Sequence, residues 1–179
     1  MVYTLQCDSP VGMLTLAERN GALAGLWIEG QKYFFSSLRE ECQNRPDSPL
    51  LLQARRWLDR YFAGERPAAG ELPLAPAGSE FRREVFKILC EIPYGQTTTY
   101  QEIAQKIAAR RGLAHMSAQA VGGAVGHNPI SIIIPCHRVV GSRGSLTGYA
   151  GGLQKKVCLL THEGVDMRPF FLPKKGTAL

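Results

Sequence analysis

The chain has 179 residues, 45% of them hydrophobic, and a formal net charge of +6, enough for one ordinary domain or two small ones with a real core. No apolar run approaches the roughly 18 residues of a membrane span, and Met1 to Leu5 form neither a basic n-region nor an apolar h-region, so neither a membrane protein nor a secretory signal is expected. The five cysteines (7, 42, 90, 136, 158) are scattered, odd in number and without a CxxC pair, which argues against a disulfide framework or zinc knuckle and for a reducing cytoplasm.

The first thirty residues read as β. Val2 to Cys7, Met13 to Arg19 and Ala22 to Ile28 are short apolar or alternating runs, and Asn20-Gly21 between the last two is a hairpin turn signal. Ser48-Pro49 reads as an N-cap followed by proline at N1. It opens a helix through Leu51, Ala54, Leu58 and Tyr61 that ends near Gly64. Residues 66–78 are rich in Pro, Gly and Ala and are expected to be a linker at a domain boundary.

The second half reads mainly as helix. Ser79 caps a segment with Phe81, Val85, Ile88 and Leu89 on one side, stopped before Pro93. Thr99-Tyr100-Gln101-Glu102 fits a capping box opening a helix to about Ala109, and Ser117 caps another from Ala118 to about Gly126. Two short helices around a basic connection fit a helix-turn-helix or a plain αα-hairpin. The second helix, Ala118 to Val125, is built of small residues that permit close approach but read few base edges. On DNA it would act through shape and phosphates with little sequence preference. A last helix is expected from Leu153 to Thr161, with Gly164 as C′, and the tail 166–179 is expected to be partly disordered.

Charge divides with the architecture. Residues 1–78 carry 8 basic and 9 acidic side chains, and residues 79–179 carry 13 and 6. The cationic half attracts polyanions, of which nucleic acid is the commonest. It also holds Ile133-Ile134-Pro135-Cys136-His137-Arg138-Val139-Val140. A thiol reacts as the thiolate, which needs a base or a positive charge nearby, and His137 and Arg138 offer both. The apolar flanks would place the pair in a packed site; a buried strand end that happens to contain Cys-His is the alternative. In an extended chain neighbouring side chains point to opposite sides, so a bridging water between Cys136 and His137 is expected. The glycine-rich Gly141 to Gly152, with Tyr149, would be a lid over a flat ligand or a connection.

Together, Pro135 to Val140, Asn128-Pro129, Tyr149 with Gly151-Gly152-Leu153, His162-Glu163-Gly164 and Tyr94-Gly95-Gln96-Thr97-Thr98-Thr99-Tyr100 resemble the O6-alkylguanine-DNA alkyltransferases, or methylated-DNA–protein-cysteine methyltransferases. The likeness is strong over about 79–165 and only in outline before it. It implies an α/β (α+β) fold: a ribonuclease-H-like α/β domain (1–65), the linker, and a mainly helical DNA-binding domain (79–165) with a winged-helix-like helix-turn-helix. It implies a stoichiometric suicide enzyme that flips O6-methylguanine, with O4-methylthymine a further candidate, out of the duplex and moves the alkyl group to Cys136. His137 matches the base, Glu163 the carboxylate that orients it, Asn128 the residue that pins the turn, and Tyr100 the proton donor near guanine N3. Tyr149 and Ala150 would wall the pocket, and the backbone of Cys136 and Val139 would read the guanine edge.

Gln119, with Ala120 beside it on the small-residue helix, stands where the family usually has an arginine that fills the gap left by the flipped base. Gln lacks that charge and stacking plane, so weaker DNA affinity or slower flipping is expected, with Arg110 and Arg111 compensating through phosphates. The implied partner is double-stranded DNA carrying O6-alkylguanine, bound through the minor groove by a cytoplasmic monomer, with no cofactor and no metal. The alternative is a non-catalytic lesion sensor on the same scaffold; relatives of that kind lack the cysteine. A Cys-His hydrolase would need an oxyanion hole and an acyl site, for which nothing in the chain calls.

Overall fold

The structure, a computed structural model, describes residues 1–173. Strands β1 (Val2–Cys7), β2 (Leu14–Arg19) and β3 (Ala22–Ile28) form an antiparallel meander. A short strand β4 (Cys42–Asn44) joins parallel to β1, giving the order β3-β2-β1-β4. Asn20 and Gly21 turn the β2–β3 hairpin with φ of 53° and 75°, as a two-residue turn of matching twist requires. A register shift at Ala17/Glu18 lets Leu23 and Leu26 face one core while Ala24 and Trp27 face the other.

Helix α1 (Pro49–Phe62) starts where the Ser48 hydroxyl accepts the Leu51 N–H and lays Leu51, Ala54, Leu58 and Tyr61 into the larger core. The far face of the sheet is closed by Trp27, Leu38 and Phe35. Residues 66–78, expected as a linker, run as an ordered strap. The Trp57 indole donates to the Ala68 carbonyl at 2.9 Å, Leu23 and Ala75 bond the strap to β3, and Leu72 is buried.

The second half contains α2 (Glu80–Cys90), β5 (Thr98–Thr99), α3 (Tyr100–Arg111), α4 (Ala118–Gly126), β6 (Val139–Val140) and α5 (Leu153–His162). Ser79, Thr99 and Ser117 cap α2, α3 and α4, with the Thr99–Glu102 box complete. Buried residues of α2, α3 and α4 join those of β2, β3 and α1 in one continuous core, and Leu26 of β3 is stitched through both backbone groups to Pro129 and Ser131. The two halves are therefore one packed body, and the Cys136 segment lies along their seam.

Other readings change as well. The alternative of a strand end before Cys136 does not hold, since Ile132 to Ile134 form no strand and Ile132 adopts φ of 68°, which no strand tolerates. Cys136–Arg138 is a 3-10 turn, so successive side chains are about 120° apart rather than opposed. Residues 166–173 are held in place: Met167 and Phe170 pack with Val140, Leu146 and Leu160, and Phe171 exchanges backbone hydrogen bonds with Gly144 and Leu146. The rest of the expected tail, 174–179, lies outside the described residues. Among the described residues no helix is long and apolar enough to cross a membrane, and no group of three or more His, Cys, Asp or Glu could hold a metal.

Candidate active site

Asn128, buried just past the end of α4, shapes the segment that carries Cys136. Its amide donates to the carbonyls of Ile130 (3.2 Å) and Ile134 (2.8 Å), and its oxygen accepts the Ile130 N–H (3.0 Å). Three bonds from one side chain satisfy backbone groups that no sheet or helix uses. They hold the loop closed around the left-handed Ile132, and Pro135 then delivers the chain into the 3-10 turn.

His137 has no exposed surface. Its Nε2 meets Glu163 Oε1 at 2.6 Å, and its Nδ1 is buried without a partner among the described residues. With Nε2–H donating to the carboxylate, Nδ1 carries a free lone pair, the form a base needs. Burial lowers the His137 pKa, with Glu163 opposing, so the resting ring is neutral. Burial pushes Glu163 upward, but His137 and Arg138 outweigh it and hold the carboxyl well below the usual range. Arg138 grips both oxygens, at 2.8 and 3.0 Å, and ties itself to the Ile92 carbonyl. The Tyr61 hydroxyl donates to Oε1 at 2.8 Å and the Gly95 N–H to Oε2 at 3.0 Å. Gly95 sits at φ of 75°, and a Cβ there would press on the Glu163 carbonyl at 3.0 Å, so glycine is needed for the approach.

Cys136 is 4% exposed. Burial raises its thiol pKa, while Asn128 and the Lys156 ammonium favour the thiolate. Lys156 is itself fully buried on α5 and donates to the Val139 and Thr147 carbonyls. Burial brings its pKa down to about 8, with Cys136 the opposing influence. A buried cation held by backbone carbonyls is costly unless a negative charge forms nearby; Cys136, whose charge would favour the ammonium, is the group placed to supply one on ionising.

Beside this network opens a cavity of about 710 Å³, lined by Tyr100 and Gln101 of α3, Ala118, Gln119, Gly122, Gly123 and Gly126 of α4, His127, the loop residues Ser142, Thr147 and Gly148, and Tyr33. The Tyr100 hydroxyl donates to the carbonyls of Thr147 and Gly148, both at 3.1 Å. Burial and then Cys136 raise its pKa, so it stays a phenol and a donor.

The expected residues thus fall into three groups. Cys136, His137, Glu163 and Asn128 are brought together, and Tyr100 lines the cavity within electrostatic reach of the thiol. Gln119 lines the cavity, and Ala120 is exposed beside it on α4. The others sit differently. Tyr149 is buried, its hydroxyl without a partner among the described residues, and it lines a separate cleft with Ala150, Gly30 and Lys32. Val139 spends its N–H on the Cys136 carbonyl, and its carbonyl accepts Lys156 with one lone pair left over. Arg110 and Arg111 bond the carboxylates of Glu91 and Glu84.

Tyr61 and Lys156 escape a reading of the sequence. Tyr61 has the spacing of an ordinary core aromatic on α1. Lys156 leaves one trace: it is three and four residues before the buried Leu159 and Leu160, a lysine on an apolar stripe.

Comparison with known proteins identifies the family. Residues 80–165 match the 6-O-methylguanine DNA methyltransferase DNA-binding domain, and residues 1–76 match the ribonuclease-like domain of the same methyltransferases. A methylated-DNA–protein-cysteine methyltransferase of Mycolicibacterium paratuberculosis is 46% identical over 163 residues, covering 91% of this chain and 93% of its own. One from Methanosarcina barkeri is 41% identical over 175 residues, covering 90% and 96%. The Mycobacterium tuberculosis enzyme in complex with DNA superposes with a TM-score of 0.75 at 39% identity, covering 94% of each chain. The chain belongs to the 6-O-methylguanine DNA methyltransferase family.

Proposed function

We propose that this protein repairs DNA by direct reversal, taking the alkyl group from O6 of guanine in duplex DNA onto the Cys136 sulfur. Residues 1–65 serve as the framework domain and 79–165 as the domain that performs the chemistry. The observation that carries the reading is the buried chain Glu163–His137 with a free Nδ1 lone pair, set beside a thiol that Lys156 and Asn128 bias toward the thiolate. His137 takes the thiol proton, directly or through a water, and Glu163 steadies the imidazolium. The thiolate attacks the O6-alkyl carbon; the S–C bond forms as the C–O6 bond breaks, and the electron pair leaves on the guanine oxygen. Tyr100 donates a proton near N3 and so neutralises the departing base. A thioether has no easy return to a thiol, so each molecule acts once.

The target carbon lies within the base stack, so the nucleotide is flipped. The exposed small-residue face of α4, with Gln119 and Ala120, approaches the minor groove with little sequence preference, and O4-methylthymine is a second substrate. Tyr149 and Ala150 wall the base pocket once the loop rearranges around the guest. Arg110 and Arg111 reach phosphates only by leaving Glu91 and Glu84. The protein works as a cytoplasmic monomer.

The test is an intact mass after incubation with a duplex carrying O6-methylguanine, followed by peptide mapping. A gain of one methylene on Cys136, no more than one per molecule, is expected. Cys136→Ala should abolish transfer and keep lesion binding; residual transfer in that variant removes Cys136 from the role. An unchanged mass with tight lesion binding points to a lesion sensor.

A further inference from the structure

One wall of the cavity comes from the sheet-bearing half. Tyr33 is the single residue from before the strap among those that line it, and its position is specific. The ring stacks on His127 with centroids 4.1 Å apart and planes 23° apart, while the residue remains 41% exposed. His127 is held in turn by its Nδ1 at 2.7 Å from the Gly123 carbonyl, one turn back on α4. Tyr33 is thus backed by a fixed ring on one face and exposed over part of its remaining surface.

The backbone is bent to produce this placement. Tyr33 adopts φ of 60°, a conformation uncommon for an aromatic residue and typical of sites where strain serves a purpose. Its neighbours hold it there. The Lys32 N–H donates to the Ala150 carbonyl at 2.9 Å, and Ser36 returns to the Tyr33 carbonyl through both its N–H and its hydroxyl. The Gln31 side-chain oxygen accepts from the Ile28 N–H and the Ser131 hydroxyl. Phe35 stacks on Trp27 and anchors the far side of the turn. Core packing accounts for Phe35; it does not account for a tyrosine pushed out over a cavity shared with Gln119, Tyr100 and Thr147.

We propose that Tyr33 is a substrate-contacting residue: its ring, backed by His127, is the platform against which the extruded alkylguanine nucleotide stacks. Every base presents a π-face, so an aromatic platform holds a flipped nucleotide without reading sequence. The loop of the first half therefore contributes directly to lesion capture, and it does so on the cavity that Gln119 shares, where the arginine that the family usually places at that position is missing. The inference rests on the alkyl-transfer reading above.

The experiment is single-turnover transfer from duplex O6-methylguanine, measured against protein concentration for the parent, Tyr33→Ala and Tyr33→Phe. Alkylation of Cys136 by iodoacetamide and the melting temperature are followed in parallel. Stacking of this kind sets the expected loss at about tenfold in second-order rate for Tyr33→Ala. Tyr33→Phe keeps the ring and recovers most of the rate, and the iodoacetamide rate is the same in all three. Tyr33→Ala within about twofold of the parent on the lesion overturns the proposal. So does a matching fall in iodoacetamide reactivity, which would make Tyr33 a structural support of the thiol site. If the parent itself transfers no methyl group, the reading of the site fails instead.

Discussion

Glu163 and Glu91 are both carboxylates gripped by an arginine through two contacts and by further donors, and both are held below the ordinary carboxylate pKa. Glu163 lies in the seam between the two halves, its side chain without exposed surface, and takes bonds from His137, Tyr61, Arg138 and Gly95. Glu91 caps α2 at the surface, 42% exposed, with Lys106 and Arg110 around it. Water competes for every bond at Glu91 and for none at Glu163. Like contacts therefore have unlike worth: the surface cluster tunes, and the buried one determines whether the site exists.

The sharpest way to break this contrast is Glu163→Gln. It strands Arg138 and leaves His137 without its anion, so transfer should fall by at least about a hundredfold, and stability at neutral pH by about 3 kcal/mol. The sign with pH follows from the depressed carboxyl. Its contribution is present above the unfolded value of about 4.3 and is lost as pH falls toward the lower folded value. Urea unfolding should show parent and variant converging on acidification; a constant gap would mean that the charge is not what matters.

Lys156→Met tests the other buried charge. A lysine with folded pKa of about 8 favours the folded state increasingly as pH rises from there to the unfolded value near 10.4. The stability difference between parent and variant should move in favour of the parent over that window, by up to about 3 kcal/mol. Iodoacetamide labelling of Cys136 should also move to higher pH. Tyr61→Phe removes one donor from Glu163 and keeps the ring, so a loss of about 1.5 kcal/mol is expected in urea unfolding. Arg110→Gln, at the surface cluster, should cost no more than about 0.5 kcal/mol and less in high salt. A loss there comparable with that of Tyr61→Phe would erase the distinction between the two carboxylates.

Much of this was legible because the determining chemistry is local. Ser48, Ser79, Thr99 and Ser117 each announce a helix start through a side chain that reaches three residues ahead, and Asn20-Gly21 can hardly be other than a tight turn. Cys136, His137, Asn128 and Glu163 were legible through the family resemblance; spacing alone would not have brought Glu163 to His137 across 26 residues. Other features depend on partners far away in the chain. Strand β4 is three exposed residues, Cys42–Asn44, with no hydrophobic pattern. The β5–β6 ladder is two residues on each side. Tyr61 meets Glu163 across 102 residues, and its core spacing conceals a polar duty. Arg110 and Arg111 looked available for phosphate because Glu84 and Glu91 belong to another helix.

The Thr147 carbonyl accepts both the Tyr100 hydroxyl and the Lys156 ammonium, and the Gly148 carbonyl accepts Tyr100 as well. The loop is fastened by atoms that every amino acid carries. Missense drift at Ser142, Ser145 or Thr147 leaves the fastening in place, whereas an insertion or deletion moves the carbonyls off their donors. Over generations the side chains at these three positions should change more readily than the length of the stretch.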